Sequence, residues 1–261
     1  MQIAVITILP QMFAALKFGV VGRGLEEQVQ MHLFDPRDYT DDRYRSVDDR
    51  PYGGGPGMVM MVEPLVKAVE AARSALTGAP PVVYLTPAGV PFQQDDAVRS
   101  ARLDSLILIC GRFEGVDQRF IDHWVDFEWS IGDYVVSGGE LPAMVVIDAI
   151  TRQIPGVLGN QHSTFSESHL DGMLEYPQYT RPEKHASDSV PAVLLSGDHG
   201  RIGEFKRREA IKKTFATRPE LLTQRVFDEN TLRVLAECLA DPMNQTILIN
   251  QEKSDAKKQG S

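Results

Sequence analysis

The chain has 261 residues, 43% of them hydrophobic and 24% charged. That is a globular composition, long enough for one large domain or two modest ones, and it excludes wholesale disorder and fibrous repeats. Its 27 Lys and Arg against 36 Asp and Glu leave a net charge of −9, a balance that at first disfavours a nucleic-acid partner, because phosphate backbones are bound largely through positive charge.

Residues 3–9 form an apolar run with no basic residues before it and no small-residue cleavage site after it, so they read as a first strand rather than a signal peptide. Residues 29–34 read as a second strand. Leu65, Val69, Ala72 and Leu76 recur at helical spacing between Pro64 and Gly78, which predicts a helix with start and stop signals. Residues 82–85 and 106–110 are further buried-type strands, separated by a helix over 93–103 whose first turn carries Asp95 and Asp96. The alternation predicts an α/β domain with a mostly parallel sheet over residues 1–159.

Residues 160–171 are polar and show neither period, so 160–175 reads as a mobile linker. Residues 199–215, 220–224 and 228–239 predict a small α-helical domain over 176–250, followed by a polar, disordered tail over 251–261. No stretch approaches the roughly 18 apolar residues of a membrane span, so a soluble, cytoplasmic protein without a membrane partner is expected. Cys110 and Cys238 form no CxxC or Cys/His cluster, which indicates neither a disulfide framework nor a metal site.

Two glycine motifs fail as nucleotide sites. Gly22-Arg23-Gly24 is followed by Glu27 where a dinucleotide fingerprint needs glycine, and Gly53-Gly54-Gly55-Pro56-Gly57 lacks the GK[ST] ending of a phosphate loop. The second run, flanked by Arg50 and Tyr52, suits either a surface turn or a loop closing over a planar ligand. More informative is the strand ending at Cys110, which opens into Gly111-Arg112-Phe113-Glu114-Gly115, the position where open α/β sheets place ligands. A second loop, residues 129–142, carries Gly132, Gly138 and Gly139 and leads into an apolar helix with Pro142 in its first turn. Such loops let backbone donors approach a ligand closely.

The runs 111–117, 129–142, 154–159 (Ile154-Pro155-Gly156-Val157-Leu158-Gly159) and 176–182 (Tyr176-Pro177-Gln178-Tyr179-Thr180-Arg181-Pro182) closely resemble motifs of the bacterial tRNA (guanine-37-N1)-methyltransferases of the SPOUT superfamily. The resemblance runs in order from Met1 to about Leu239. It implies a trefoil-knotted, parallel-sheet α/β domain followed by the small helical domain. It also implies S-adenosyl-L-methionine as cofactor, bound in bent form by Leu85, Pro87, Gly111, Gly115, Ile131, Gly132, Asp133, Tyr134, Val135, Val136, Gly138, Gly139 and Pro142.

Methylating N1 of guanine requires removal of a proton and stabilisation of charge on O6. The resemblance assigns the base to Asp171, in register with Gly172-Met173-Leu174, and the O6 donor to Arg152. Glu167 is a substitute carboxylate. Glu114 and Asp117 either serve the ligand or a metal ion, or pair with Arg112 and Arg119. The resemblance further implies a homodimer with its active site between subunits, and a tRNA substrate whose guanosine 37 follows another guanosine. The family's catalysis is associated with Mg2+, which the sequence does not decide. A family member that binds RNA without catalysis would lack Asp171 or Arg152, and both are present.

The net charge also proves uneven. Residues 201–225 hold eight basic and three acidic side chains, a local +5, so the other 236 residues carry −14. Arg201, Arg208 and Lys212 share one helical face, which by itself suits a solvated surface; the resemblance implies that it is the tRNA-backbone contact.

Overall fold

The computed structural model describes residues 1–158, 172–223 and 226–240. The chain divides into two compact units, Met1–Gln161 and His162–Ser261. Of the linker expected over 160–175, residues 160–171, with Glu167 and Asp171, lie outside the described residues, as do residues 241–250 of the expected helical domain and the tail over 251–261.

The first unit runs β1 (Gln2–Ile6), a 3-10 helix (Pro10–Lys17), α1 (Gly19–Glu27), β2 (Gln30–Phe34), a second 3-10 helix (Pro36–Tyr39), β3 (Asp48–Asp49), β4 (Val59–Met60), α2 (Val62–Ala75), β5 (Val82–Pro91), α3 (Gln94–Ser100), β6 (Ser105–Cys110), α4 (Gln118–Trp124), β7 (Phe127–Ser130) and α5 (Glu140–Thr151). Five strands form a wholly parallel sheet in the order β2-β1-β6-β5-β7. Every residue of β6 is buried, because helices cover both faces and leave no solvated side to alternate with. Leu106 and Leu108 point to one face, where they pack with residues of α1, α3 and α5; Ile107 and Ile109 point to the other, against Leu65 and Val69 of α2 and Phe120 of α4.

Local chemistry sets where these elements stop. The strand expected over 3–9 ends at Ile6, because the Thr7 hydroxyl accepts the Leu9 N–H at 2.9 Å and Pro10 opens a 3-10 helix. α3 starts at a reciprocal cap between Gln93 and Asp96, and α4 starts at Asp117, whose carboxylate accepts the Arg119 N–H. Gly22-Arg23-Gly24 lies inside α1. A Cβ on Gly24 would sit 2.7 Å from the Thr151 side chain and 2.9 Å from that of Val157, so this glycine serves close packing rather than phosphate binding. β5 extends beyond the expected 82–85, with an irregular register against β7 between Leu85 and Val90.

In the second unit a hairpin of β8 (Lys184–His185) and β9 (Asp188–Ser189) precedes α6 (Ala192–Leu195), α7 (His199–Thr217), a 3-10 helix (Pro219–Leu222) and α8 (Glu229–Ala240). The short helix expected over 220–224 is thus a 3-10 turn begun by Pro219. Ile211 and Phe215 of α7 pack with Leu222 and with Val234 and Cys238 of α8. Thr214, buried in α7, donates to the Ala210 carbonyl and accepts the Leu174 N–H.

Leu108 is fully buried at the centre of β6. Leu108→Ala is expected to destabilise the protein by about 2–5 kcal/mol, through lost burial plus the cavity left behind, measured as a lower urea midpoint.

Candidate functional site

A pocket of about 260 Å³ opens where the carboxyl ends of β6 and β7 meet the irregular middle of β5. Three segments build it. β5 contributes Tyr84, Leu85, Thr86 and Pro87; the loop after β6 contributes residues 111–115; the β7–α5 connection contributes residues 129–132, 134–139 and Pro142. Of the thirteen expected cofactor contacts, twelve line this one pocket, and Asp133 alone does not.

The pocket exists because backbones approach closely. Gly139, at the amino end of α5, sits so near the end of β6 that a Cβ there would lie 2.6 Å from the Cys110 Cα. Its N–H donates to the Gly111 carbonyl at 2.8 Å, and its own carbonyl accepts the Ala143 N–H. On the β7 side, the Ser130 hydroxyl donates to the Gly132 carbonyl and the Tyr134 hydroxyl donates to that of Ile131, which pins the loop in a tight turn. Tyr84 packs beneath Gly111, and burial pushes its phenol pKa up. Apolar surface from Leu85, Pro87, Ile131 and Pro142, with open backbone groups between, suits a planar ligand with a polar edge.

The charged residues are arranged differently from the expectation. Arg112 pairs not with Glu114 but with Glu140, the buried first residue of α5. Asp117 does pair with Arg119, which holds its carboxyl below the usual range chiefly through side-chain hydrogen bonds. Burial, and after it the Glu140 carboxylate, push the Cys110 thiol well up, so it stays protonated and is no nucleophile. Among the described residues, no three His, Cys, Asp or Glu side chains converge as a metal site, and no residues are assigned to Mg2+.

Residues 53–57 do not line the pocket, but the strand that follows them is tied to its rim. The Glu114 N–H donates to the Met58 carbonyl, the Met60 N–H to that of Gly115, and the Asp117 N–H to that of Met60. Arg152 stands at the other end of α5, about 15 Å along the axis from Pro142, and does not line the pocket. Arg112, Tyr84 and Trp129 line the pocket and were missed as site residues; Glu140, which does not line it, was missed as the partner of Arg112. The signal for Glu140 was a carboxylate heading a helix that is apolar up to Asp148.

In the second unit, Arg208 and Lys212 line a groove with Pro177, Lys213 and Glu237, whereas Arg201 lies outside it in the first turn of α7. Arg208 is paired with Glu237, Lys212 with Glu209 and Arg207 with Asp228. Lys206 lies over the Tyr176 ring.

Residues 1–224 match the family model described as tRNA (Guanine-1)-methyltransferase TrmD. The chain is 50% identical over 239 residues to the tRNA (guanine-N(1)-)-methyltransferase of Shewanella amazonensis, covering 91% of this chain and 96% of that one. It is 50% identical over 236 residues to the protein of the same name from Coxiella burnetii, covering 90% and 96%. It is 49% identical over 239 residues to that of Methylococcus capsulatus, covering 91% and 95%.

Because backbone rather than a flexible side chain faces Gly139, Gly139→Ala is expected to cost about 1–3 kcal/mol by overpacking. The measurable outcome is a lower melting temperature together with weaker ligand binding in the pocket.

Proposed function

The chain belongs to the tRNA (guanine-1)-methyltransferase family, and from that premise we propose that it transfers the methyl group of S-adenosyl-L-methionine to N1 of guanosine 37 in tRNA. The observation that carries this reading is the convergence of twelve expected cofactor contacts on one pocket at the carboxyl edge of a parallel sheet. S-adenosylmethionine supplies an electrophilic methyl carbon on a sulfonium. The pocket's part is to hold the adenosyl group between apolar walls, with backbone groups reading its edge.

The remaining chemistry falls to two side chains. Asp171 takes the N1 proton as the N1–carbon bond forms and the carbon–sulfur bond breaks, while the Arg152 guanidinium hydrogen-bonds O6 and stabilises the charge that develops there. In this reading the guanosine 5′ of the target is also required, and the work is done in the cytoplasm. Among the described residues no helix is long and apolar enough to cross a membrane. The reading extends to a trefoil knot in the first unit, for which the insertion of β6 between the earlier strands β1 and β5 is supporting topology.

The working form in this reading is a homodimer whose active site lies between subunits. Two features of α5 support it. Arg152 is separated from the pocket of its own chain by most of the helix, and in this reading another copy brings its arginine there. Leu141 and Val145, one turn apart, are each 50% exposed on α5, an apolar face that a second copy would cover. For tRNA, the groove holding Arg208 and Lys212 offers cations whose exposed ion pairs are weak enough to exchange for phosphates.

The test of the reaction is transfer of labelled methyl from S-adenosylmethionine to a tRNA transcript bearing guanosine 37. Asp171→Asn and Arg152→Ala are each expected to lower kcat at least about 100-fold with little change in cofactor affinity; a wild type that binds tRNA yet transfers nothing would overturn the reading. For the dimer, Val145→Glu is expected to convert the protein to monomer in sedimentation velocity and to abolish transfer in parallel. A monodisperse wild-type monomer with full activity would refute it.

A further inference from the structure

Glu140 has no role in the chemistry above, yet it is among the most buried charged groups of the first unit. Its side chain is 1% exposed, and its Oε1 accepts a hydrogen bond from the Thr7 hydroxyl at 3.0 Å. Oε2 is shut from solvent and has no hydrogen-bond partner among the described residues. Burying a carboxylate with half its acceptors unmet is expensive unless its charge is used. The nearest cation is Arg112, whose Nη1 lies 3.6 Å from Oε2.

Arg112 is built into the pocket wall. Its Nη1 donates to the Ser137 carbonyl at 2.8 Å, and its side chain, 24% exposed, lines the pocket. A Cβ on Gly138 would fall 2.3 Å from the Arg112 Cδ and 2.7 Å from the Glu140 Oε2, so backbone packs flush against the pair. One corner of the guanidinium is thereby fixed. Among the described residues its Nε and Nη2 take no hydrogen bond, and Arg112 is the only cation lining the pocket.

We propose that Glu140 is a positioning residue that fixes Arg112 as the oxyanion-binding group of the pocket, and that this group receives the α-carboxylate of S-adenosylmethionine. The proposal rests on the reading of the pocket as the S-adenosylmethionine site. The carboxylate is the one anionic group of that molecule, and a guanidinium edge with two parallel donors matches it. A buried, hydrogen-bonded counter-charge holds the guanidinium in place before the ligand arrives, so less side-chain freedom is lost on binding. Thr7 at the end of β1, Arg112 at the end of β6 and Glu140 at the start of α5 then act as one unit. An RNA phosphate has the same chemistry as the carboxylate, and the experiment separates the two.

Full-length wild type, Glu140→Gln and Arg112→Gln are titrated calorimetrically, without tRNA, against S-adenosylmethionine and against 5′-methylthioadenosine, which keeps the adenosyl thioether and lacks the amino-acid moiety. Both variants are expected to bind S-adenosylmethionine about tenfold more weakly or worse, with affinity for methylthioadenosine within about twofold of wild type. Equal weakening toward both ligands would mean a merely structural role and overturns the proposal. Unchanged S-adenosylmethionine affinity with a raised KM for tRNA assigns Arg112 to a phosphate and also overturns it. If Glu140→Gln does not fold, Thr7→Val, which removes the hydroxyl holding Oε1, is expected to show the same selective loss. A wild type that binds neither ligand overturns the reading of the pocket itself; wild-type binding with unselective variants overturns this proposal alone.

Discussion

The first unit depends on how closely the amino end of α5 approaches the carboxyl end of β6. Gly139 has no room for a side chain against Cys110, and its N–H is spent on the Gly111 carbonyl. That contact brings the β7–α5 connection over the β6 loop, and the two loops together with β5 then enclose the pocket. It also buries Glu140, the next residue, beside the end of β1. A carboxylate in the first turn favours the helix dipole, but burial deep enough to exclude water demands partners, and Thr7 and Arg112 supply them from two other parts of the chain. The ligand cleft and the buried polar cluster are therefore two consequences of one backbone contact.

The sheet was largely legible in the sequence because covering both faces leaves strands as plain apolar runs. β1, β5 and β6 announce themselves in that way, and β2, an edge strand with no buried residue, by its mixed but still largely apolar run. β7 does not: it is an edge strand of four residues, Phe127-Glu128-Trp129-Ser130, with its first residue exposed, and it borrows its register from β5. α1 was hidden for another reason, since Gly22-Arg23-Gly24 begins like a dinucleotide fingerprint, whereas these glycines let Lys17, Thr151 and Val157 approach the helix closely. Among the site residues, the glycines and prolines could be found because close approach selects those residue types whatever the ligand. Arg112 and Glu140 could not be paired by inspection, because they are 28 positions apart and the nearer Glu114 offered a simpler partner.

Charge shows the same limit in the second unit. Counting along the chain gave residues 201–225 a surplus of five positive charges, but the fold sets α8 against α7, so that Asp228 and Glu237 from outside that window face Arg207 and Arg208. The helix face is less positive than its own sequence suggests. Exposed pairs of this kind contribute about 0–1 kcal/mol each, so they lower the field without locking the cations. The acidic partners weaken indiscriminate attraction to polyanions, and in the proposed reading a phosphate held in the right place displaces them.

The reaction proposed here divides between a rigid part and a part that must be brought in. The pocket is made by two loops that spring from the carboxyl ends of core strands and by the amino end of a twelve-residue helix. The arginine assigned to O6 stands at the other end of that helix. Those two ends lie about 15 Å apart, so in the proposed reading one chain supplies the cofactor pocket and a second copy supplies the arginine. Under that reading the helix does two jobs at once. Its amino end closes one pocket while its exposed apolar face and carboxyl end serve a neighbouring copy, so that association itself assembles the catalytic charges around the base.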